Sequence, residues 1–226
     1  MFRIKREAMT TRRALLGLLA SAPLAACGQM RTAELNPALP GNKDYDRWYI
    51  GSRPDGEHQL PLVDRSLMRA DLAPQYVSYD GGERPGTIVV DIDKRFLYLV
   101  QEGGKARRYG VGVGRRGFSW KGVARVGRKA PWPSWNPTST MVRLKIAPGG
   151  TYKAGVDNPL GARALYLYQG DRDILFRIHG TNEPWSIGEQ VSSGCIRMLN
   201  EDIVDLYDRV PVGATVLVRR SGHGSV

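Results

Sequence analysis

Cys195 stands in the stretch VSSGCIRML at 191–199, one of only two cysteines in a chain of 226 residues. A thiol there is either a small apolar side chain for the interior or a nucleophile. A nucleophile needs a base or a cation beside it to reach the thiolate near neutral pH. The histidines are His58, His179 and His223, and only His179 is near Cys195 in sequence. Between the two lie the fifteen residues GTNEPWSIGEQVSSG, rich in Gly and Ser, which can fold back and return the thiol to the imidazole. Ser193 and Gly194 put a pliable backbone before the sulfur. Its N–H groups could point at a developing oxyanion. In an extended segment Arg197 shares a face with Cys195 and could hold a substrate carboxylate by a two-pronged contact. The bland alternatives stay open on these residues alone: an interior cysteine, a hydrogen-bonded histidine at a strand end and a surface arginine.

Other chemistries find less support. Three histidines without a ligand cluster do not make a zinc site, so no metal is expected. GVGVGRRG lacks the lysine and the helix of a phosphate loop, and no cofactor is implied. The formal charge is +11, falling to +7 if residues 1–27 are removed with their five basic residues and one acid. A basic surface favours an anionic partner. No aromatic-and-basic recognition motif points to nucleic acid. A wall polymer rich in carboxylates, or anionic lipid headgroups, fits better.

The N-terminus explains why. MFRIKREAMTTRRALLGLLASAPLAACGQM opens with a basic region, followed by a small and apolar run over 14–26. That run is shorter than the roughly 20 residues of a permanent span and fits a secretory signal. Arg12 and Arg13 directly before it resemble a twin-arginine export signal, and Met9 is a second plausible start. LAAC at 24–27 resembles the lipobox of bacterial lipoproteins, in which Cys27 would become a lipidated N-terminus and a membrane anchor. Gly28, which is not aspartate, favours the outer membrane of a Gram-negative envelope. With Cys27 lipidated, Cys195 is a lone thiol in an oxidising compartment, where exported proteins pair their cysteines or lack them.

The elements that must position Cys195 and His179 are mostly strands. Residues 28–85 read as a tether and N-terminal extension, with a short helix capped by Asp64 over RSLMRADL. YDGGERPG at 79–86 is a breaker, and the main domain is expected over 86–220, with a tail at 221–226. TIVVDI (87–92) and RFLYLVQ (95–101) form a hairpin. GGKARRYGVGVG, GVARVGRK and TMVRLKI (140–146) follow as strands. RALYLYQG (163–170) and DILFRIHG (173–180) form a second hairpin ending on His179, and TVLVRR (215–220) closes the domain. NEDIVDLYDRV (200–210) reads as a helix capped by Asn200 and ended by Pro211 and Gly213. Many short strands with one helix argue a mainly β sandwich or barrel.

The run HGTNEPWSIGEQVSSGCIRMLNEDIVDLYDRV (179–210) resembles the signature of the bacterial L,D-transpeptidases, the YkuD-type catalytic domain. The pattern is H-G-T, a loop, S-x-G-C-[IV]-R and an Asn-led helix. Weaker similarity extends upstream through GTIVVDIDKRFLYLV, WPSWNPT and NPLGARALYLY, so it covers roughly 86–219. Ser193 stands where many members carry a second histidine, which leaves His179 to act alone. The resemblance implies a mainly β fold of mixed sheets with one capped helix after the catalytic cysteine. It implies Cys195 as nucleophile and His179 as general base and acid, oriented by the Gly180 carbonyl, with Gly194 as a backbone oxyanion donor. Arg197, Ser193, Thr181 and Asn182 are implied in substrate binding. The substrate would be a peptidoglycan stem peptide, cut between an L-centre of its third residue and D-alanine. The acyl group would pass to diaminopimelate, to an amine of a wall-attached outer-membrane protein, or to water, which would make the enzyme a carboxypeptidase. A carbapenem would acylate Cys195. The competing reading from another class is a periplasmic lipoprotein that binds peptidoglycan without catalysis.

Overall fold

The computed structural model describes residues 46–115, 119–145 and 147–221. Residues 46–85 are built into the fold rather than trailing from it, and the part of the expected tether before residue 46 lies outside the described residues. Tyr49–Asp55 (β1) and His58–Val63 (β2) pair as an antiparallel hairpin. Gln75–Ser78 (β3) joins the main sheet, so that sheet begins before the expected boundary at 86. The helix expected from Asp64 is instead two single 3₁₀ turns, Arg65–Leu67 and Ala70–Leu72. Asp64 does accept from Ser66 N, at 3.0 Å. Leu67 stays exposed and only Leu72 is buried, and so short a helix without an apolar face does not hold together.

The remaining strands are Ile88–Asp91 (β4), Phe96–Gln101 (β5), Lys105–Gly110 (β6), Val113–Gly114 (β7), Gly122–Pro131 (β8), Arg163–Gln169 (β9), Arg172–His179 (β10), Gln190–Ser192 (β11), Ile196–Arg197 (β12) and Thr215–Arg219 (β13). Helices occupy Ser139–Arg143 (α1) and Asn200–Arg209 (α2). The TMVRLKI segment, expected as a strand, thus contributes to α1. Thr138 accepts from Met141 N at 3.2 Å, and this cap prevails because Val142 and Leu144, both exposed, meet no neighbouring strand.

Nine strands form one sheet in the order β12-β10-β9-β8-β13-β4-β5-β6-β3. β12 runs parallel to β10 and β13 parallel to β4, and the other pairings are antiparallel. The outer side of β12 is met by Gly112, which exchanges backbone hydrogen bonds with Arg197 at 2.9 and 2.8 Å. At the far end β3 is four residues long. Ile88, Leu97, Leu165, Ile178 and Met198 form the core with Ile203 and Leu206 of α2, all fully buried. The β1–β2 hairpin is anchored through Asp55, which accepts two bonds from Arg163, each 2.7 Å, and one from Trp132 Nε1 at 2.8 Å. The Arg163 hydrogen bonds hold its carboxyl below the usual range.

Asn200, expected as the cap of α2, does not cap it. Leu199 takes the cap position and makes no side-chain bond there. Asn200 is 3 % exposed, and its Oδ1 accepts from Ala162 N at 2.9 Å and Thr181 N at 3.2 Å. Its Nδ2 donates to Thr181 O at 3.0 Å. The amide therefore ties the start of α2 to the chain entering β9 and leaving β10. Gly161 and Gly180 leave the space: a Cβ on either would lie 2.1 or 2.2 Å from Asn200 Oδ1. Asn200→Ala strands two buried N–H groups and a carbonyl. The expected cost is about 2–4 kcal/mol, read as a lower urea midpoint with an unchanged slope.

Candidate active site

β10 and β12 pair Ile178 with Ile196 and His179 with Arg197. Side chains alternate across strands, so Ile178 and Ile196 turn into the core. His179, Arg177, Arg197 and Cys195 turn the other way and line a cavity of 1090 Å³. No residue of β1, β2 or β3 lines that cavity.

His179 is the last residue of β10 and 5 % exposed. Its Nδ1 lies 2.5 Å from Gly180 O. A carbonyl only accepts, so Nδ1 carries the proton and the ring is held in one tautomer. Burial, then the positive charge of Arg197, push its pKa down to about 3, against the carbonyls of Gly180 and Pro159. The imidazole is neutral at pH 7.

Cys195 is partly buried and unpaired, with Sγ 4.0 Å from Leu175 O. Burial pushes the thiol's pKa up, while the Arg177 backbone N–H and the charges of Arg177 and Arg197 pull it back. The resting pair is thus a neutral thiol and a neutral imidazole. Ser192 braces the turn before the sulfur: its hydroxyl donates to Cys195 O at 2.6 Å and accepts from Gly194 N at 3.1 Å. The N–H of Gly194, expected as an oxyanion donor, is thus directed at the buried Ser192 hydroxyl.

Of the residues expected to bind substrate, Ser193, Asn182 and Arg197 line the cavity. Asn182 donates to Asp157 O at 3.0 Å. Arg197 is ion-paired with Glu183 through Nη1 alone, so one arm of its fork is taken by a carboxylate of the chain itself. Thr181 does not line the cavity; it is 2 % exposed and accepts from Glu183 N at 3.0 Å. Its backbone N–H and carbonyl are both held by the Asn200 amide.

Asp173 was not legible as part of the site. It accepts from Leu175 N at 2.8 Å and from both terminal nitrogens of Arg177 at 2.7 and 2.9 Å. Between Asp173 and Arg177 the β9–β10 register slips, and Leu175 takes a positive φ of 61°. Bulges re-aim side chains and carbonyls, and this one presents Leu175 O to the thiol. Among the described residues no group of three or more His, Cys, Asp or Glu could hold a metal, and no helix is long and apolar enough to cross a membrane.

The arrangement can do nucleophilic acyl chemistry: a thiol, a buried imidazole of fixed tautomer and a cationic wall share one cavity. Comparison with known proteins agrees with that class. The chain is 35% identical over 153 residues to the probable L,D-transpeptidase ErfK/SrfK of Escherichia coli, covering 64% of this chain and 47% of that one. It thus spans about half the length of that relative. A Fuscovulum blasticum reading frame in the ATP synthase subunits region, named for the same activity, is 34% identical over 146 residues, which is 62% of this chain and 72% of that one. A solved Brucella melitensis structure described as a probable carnitine operon oxidoreductase, an activity said of that protein, is 44% identical and covers 72% of this chain and 98% of its own, with a TM-score of 0.46. The model of the L,D-transpeptidase catalytic domain, YkuD, matches residues 85–218. The chain belongs to the YkuD family of L,D-transpeptidase catalytic domains.

Proposed function

We propose that the protein is a cysteine L,D-transpeptidase acting on peptidoglycan stem peptides. The observation that carries this reading is the pairing of β10 with β12, which gives one cavity both the Cys195 thiol and a His179 locked on Gly180 O. Cys195 Sγ attacks the carbonyl of the L-centre of the stem's third residue while its proton passes to His179 Nε2. The C–N bond to D-alanine breaks, and the same proton moves to the departing amine. A thioester remains on Cys195. An acceptor amine then attacks it, His179 takes the amine's proton, and the C–S bond breaks with return of that proton to sulfur. With diaminopimelate as acceptor the product is a 3→3 cross-link; a protein amine would instead attach that protein to the wall. The proposed compartment is the periplasm of a Gram-negative bacterium, with the protein held at the outer membrane by acyl chains on Cys27. That residue lies outside the described residues.

Incubation with tetrapeptide muropeptides tests the reading, with mass spectrometry of products and intact protein. The expected result is free D-alanine, a thioester adduct on Cys195 and a 3→3 dimer. Tripeptide acid without dimer would make the enzyme a hydrolase of the same domain type. Neither adduct nor D-alanine would favour a non-catalytic binding lipoprotein. The intact mass of protein extracted from membranes reads the acyl chains at Cys27.

A further inference from the structure

Arg128 has a place in the cavity that the chemistry above leaves unused. The register sets Arg128 of β8 opposite Tyr166 of β9, and Tyr166 opposite Arg177 of β10. Arg177 precedes Ile178, whose partner on β12 is Ile196, so Cys195 continues the row. Arg128, Tyr166, Arg177 and Cys195 thus cross the cavity wall in one line, and all four line the cavity. The guanidinium carbons of Arg128 and Arg177 lie 3.5 and 4.4 Å from the centroid of the Tyr166 ring.

The arginines of this wall differ in what neutralises them. Arg177 is held by Asp173 and Arg197 by Glu183. Arg128 is exposed and stacks on Tyr166, and it has no carboxylate or hydrogen-bond partner among the described residues. Stacking leaves the N–H fork at the edge of a guanidinium open and already oriented. Such a fork matches a carboxylate with two parallel bonds.

We propose that Arg128, laid on Tyr166, binds a carboxylate of the donor peptide remote from the scissile bond. The inference rests on the cell-wall reading above and assigns a subsite within it. Three strand spacings of about 4.8 Å separate the backbone of Arg128 from that of Cys195. The D-alanine carboxylate adjoins the scissile bond and falls near the sulfur. A carboxylate at the end of the diaminopimelate side chain, or on the residue before it, has the required separation.

Calorimetry on the full chain carrying Cys195→Ala tests this, with and without Arg128→Gln. The peptides are a tetrapeptide stem with both carboxylates free, one amidated at the diaminopimelate side chain and one amidated on the preceding residue. Arg128→Gln is expected to weaken the free peptide about tenfold or more, with Arg128→Lys recovering part of the loss. One amide is expected to weaken binding equally and to add nothing on top of Arg128→Gln, which identifies the carboxylate. Additive losses with both amides, no loss with Arg128→Gln, or no binding of the free peptide would each overturn the subsite. D-alanine release by the enzyme with Cys195 intact is measured in parallel. Release with an additive cycle removes the subsite and keeps the activity. A non-additive cycle without release keeps the subsite and removes the activity.

Discussion

Cys195→Ala is expected to reduce both D-alanine release and acylation by meropenem to background. Every covalent step of the proposed reaction passes through this sulfur. The thiol is only partly buried and its contact with Leu175 O is a long 4.0 Å, so its loss should shift the melting temperature little. Inactivity with an unchanged fold separates chemistry from stability. Cys195→Ser should be nearly as inactive, because a lone imidazole activates a hydroxyl far less readily than a thiol. Intact-mass spectrometry after incubation with meropenem reads both variants. An adduct persisting in Cys195→Ala would mean that another residue is the nucleophile.

His179→Ala should slow acylation by roughly 10²–10⁴-fold, the usual worth of general-base help. The buried ring also contributes to packing, so His179→Gln is the sharper variant: its amide can still donate to Gly180 O but cannot take the thiol proton. Both should be impaired alike, and activity retained in His179→Gln would remove the base role. The pH profile gives a second readout. With the imidazole pKa pushed down to about 3, the base stays unprotonated well below the ordinary histidine value. The acylation rate should therefore show no limb from this group near pH 6.5. The same shift bears on stability with a definite sign. The unfolded imidazole takes up a proton below about pH 6.5 and the folded one does not until about pH 3. Acid in that window therefore favours the unfolded state, by up to about 1.4 kcal/mol per pH unit. His179→Ala should flatten this slope in urea titrations between pH 6.5 and 4.

The strands around the site were legible because the β-branched run TIVVDI and the Leu- and Tyr-rich run RALYLYQ sit between glycines and charged turns, and each pairs on one side with the strand that follows it in sequence. TMVRLKI alternates just as well, but alternation makes a strand only where a sheet edge is waiting, and Thr138 capped a helical turn there instead. The β1–β2 hairpin was hidden by Pro54 and Pro61, which read as extension. What fixes it is Asp55 reaching Arg163, a contact 108 residues away in the chain. His179 and Cys195 could be picked out because rare side chains stood near each other in sequence. Asn200 and Arg128 could not, since each acquires its surroundings only on folding. Asn200 looked like a cap because it leads a helix, yet its amide serves Ala162 and Thr181. Arg128 faces the cavity because the register slips between Val126 and Arg128. There Gly127 lets the Tyr168 ring approach within 2.3 Å of where a Cβ would stand.

A sheet of nine strands has two ends at which a strand from another molecule could add itself, and long flat edges of that kind nucleate aggregates. Here one end is the two-residue β12, already bonded on its outer side by Gly112. The other is the four-residue β3. Neither offers the row of unsatisfied backbone groups that a growing fibril needs. The sheet is thereby guarded against edge-to-edge association while Cys195 sits at its very margin, next to β12.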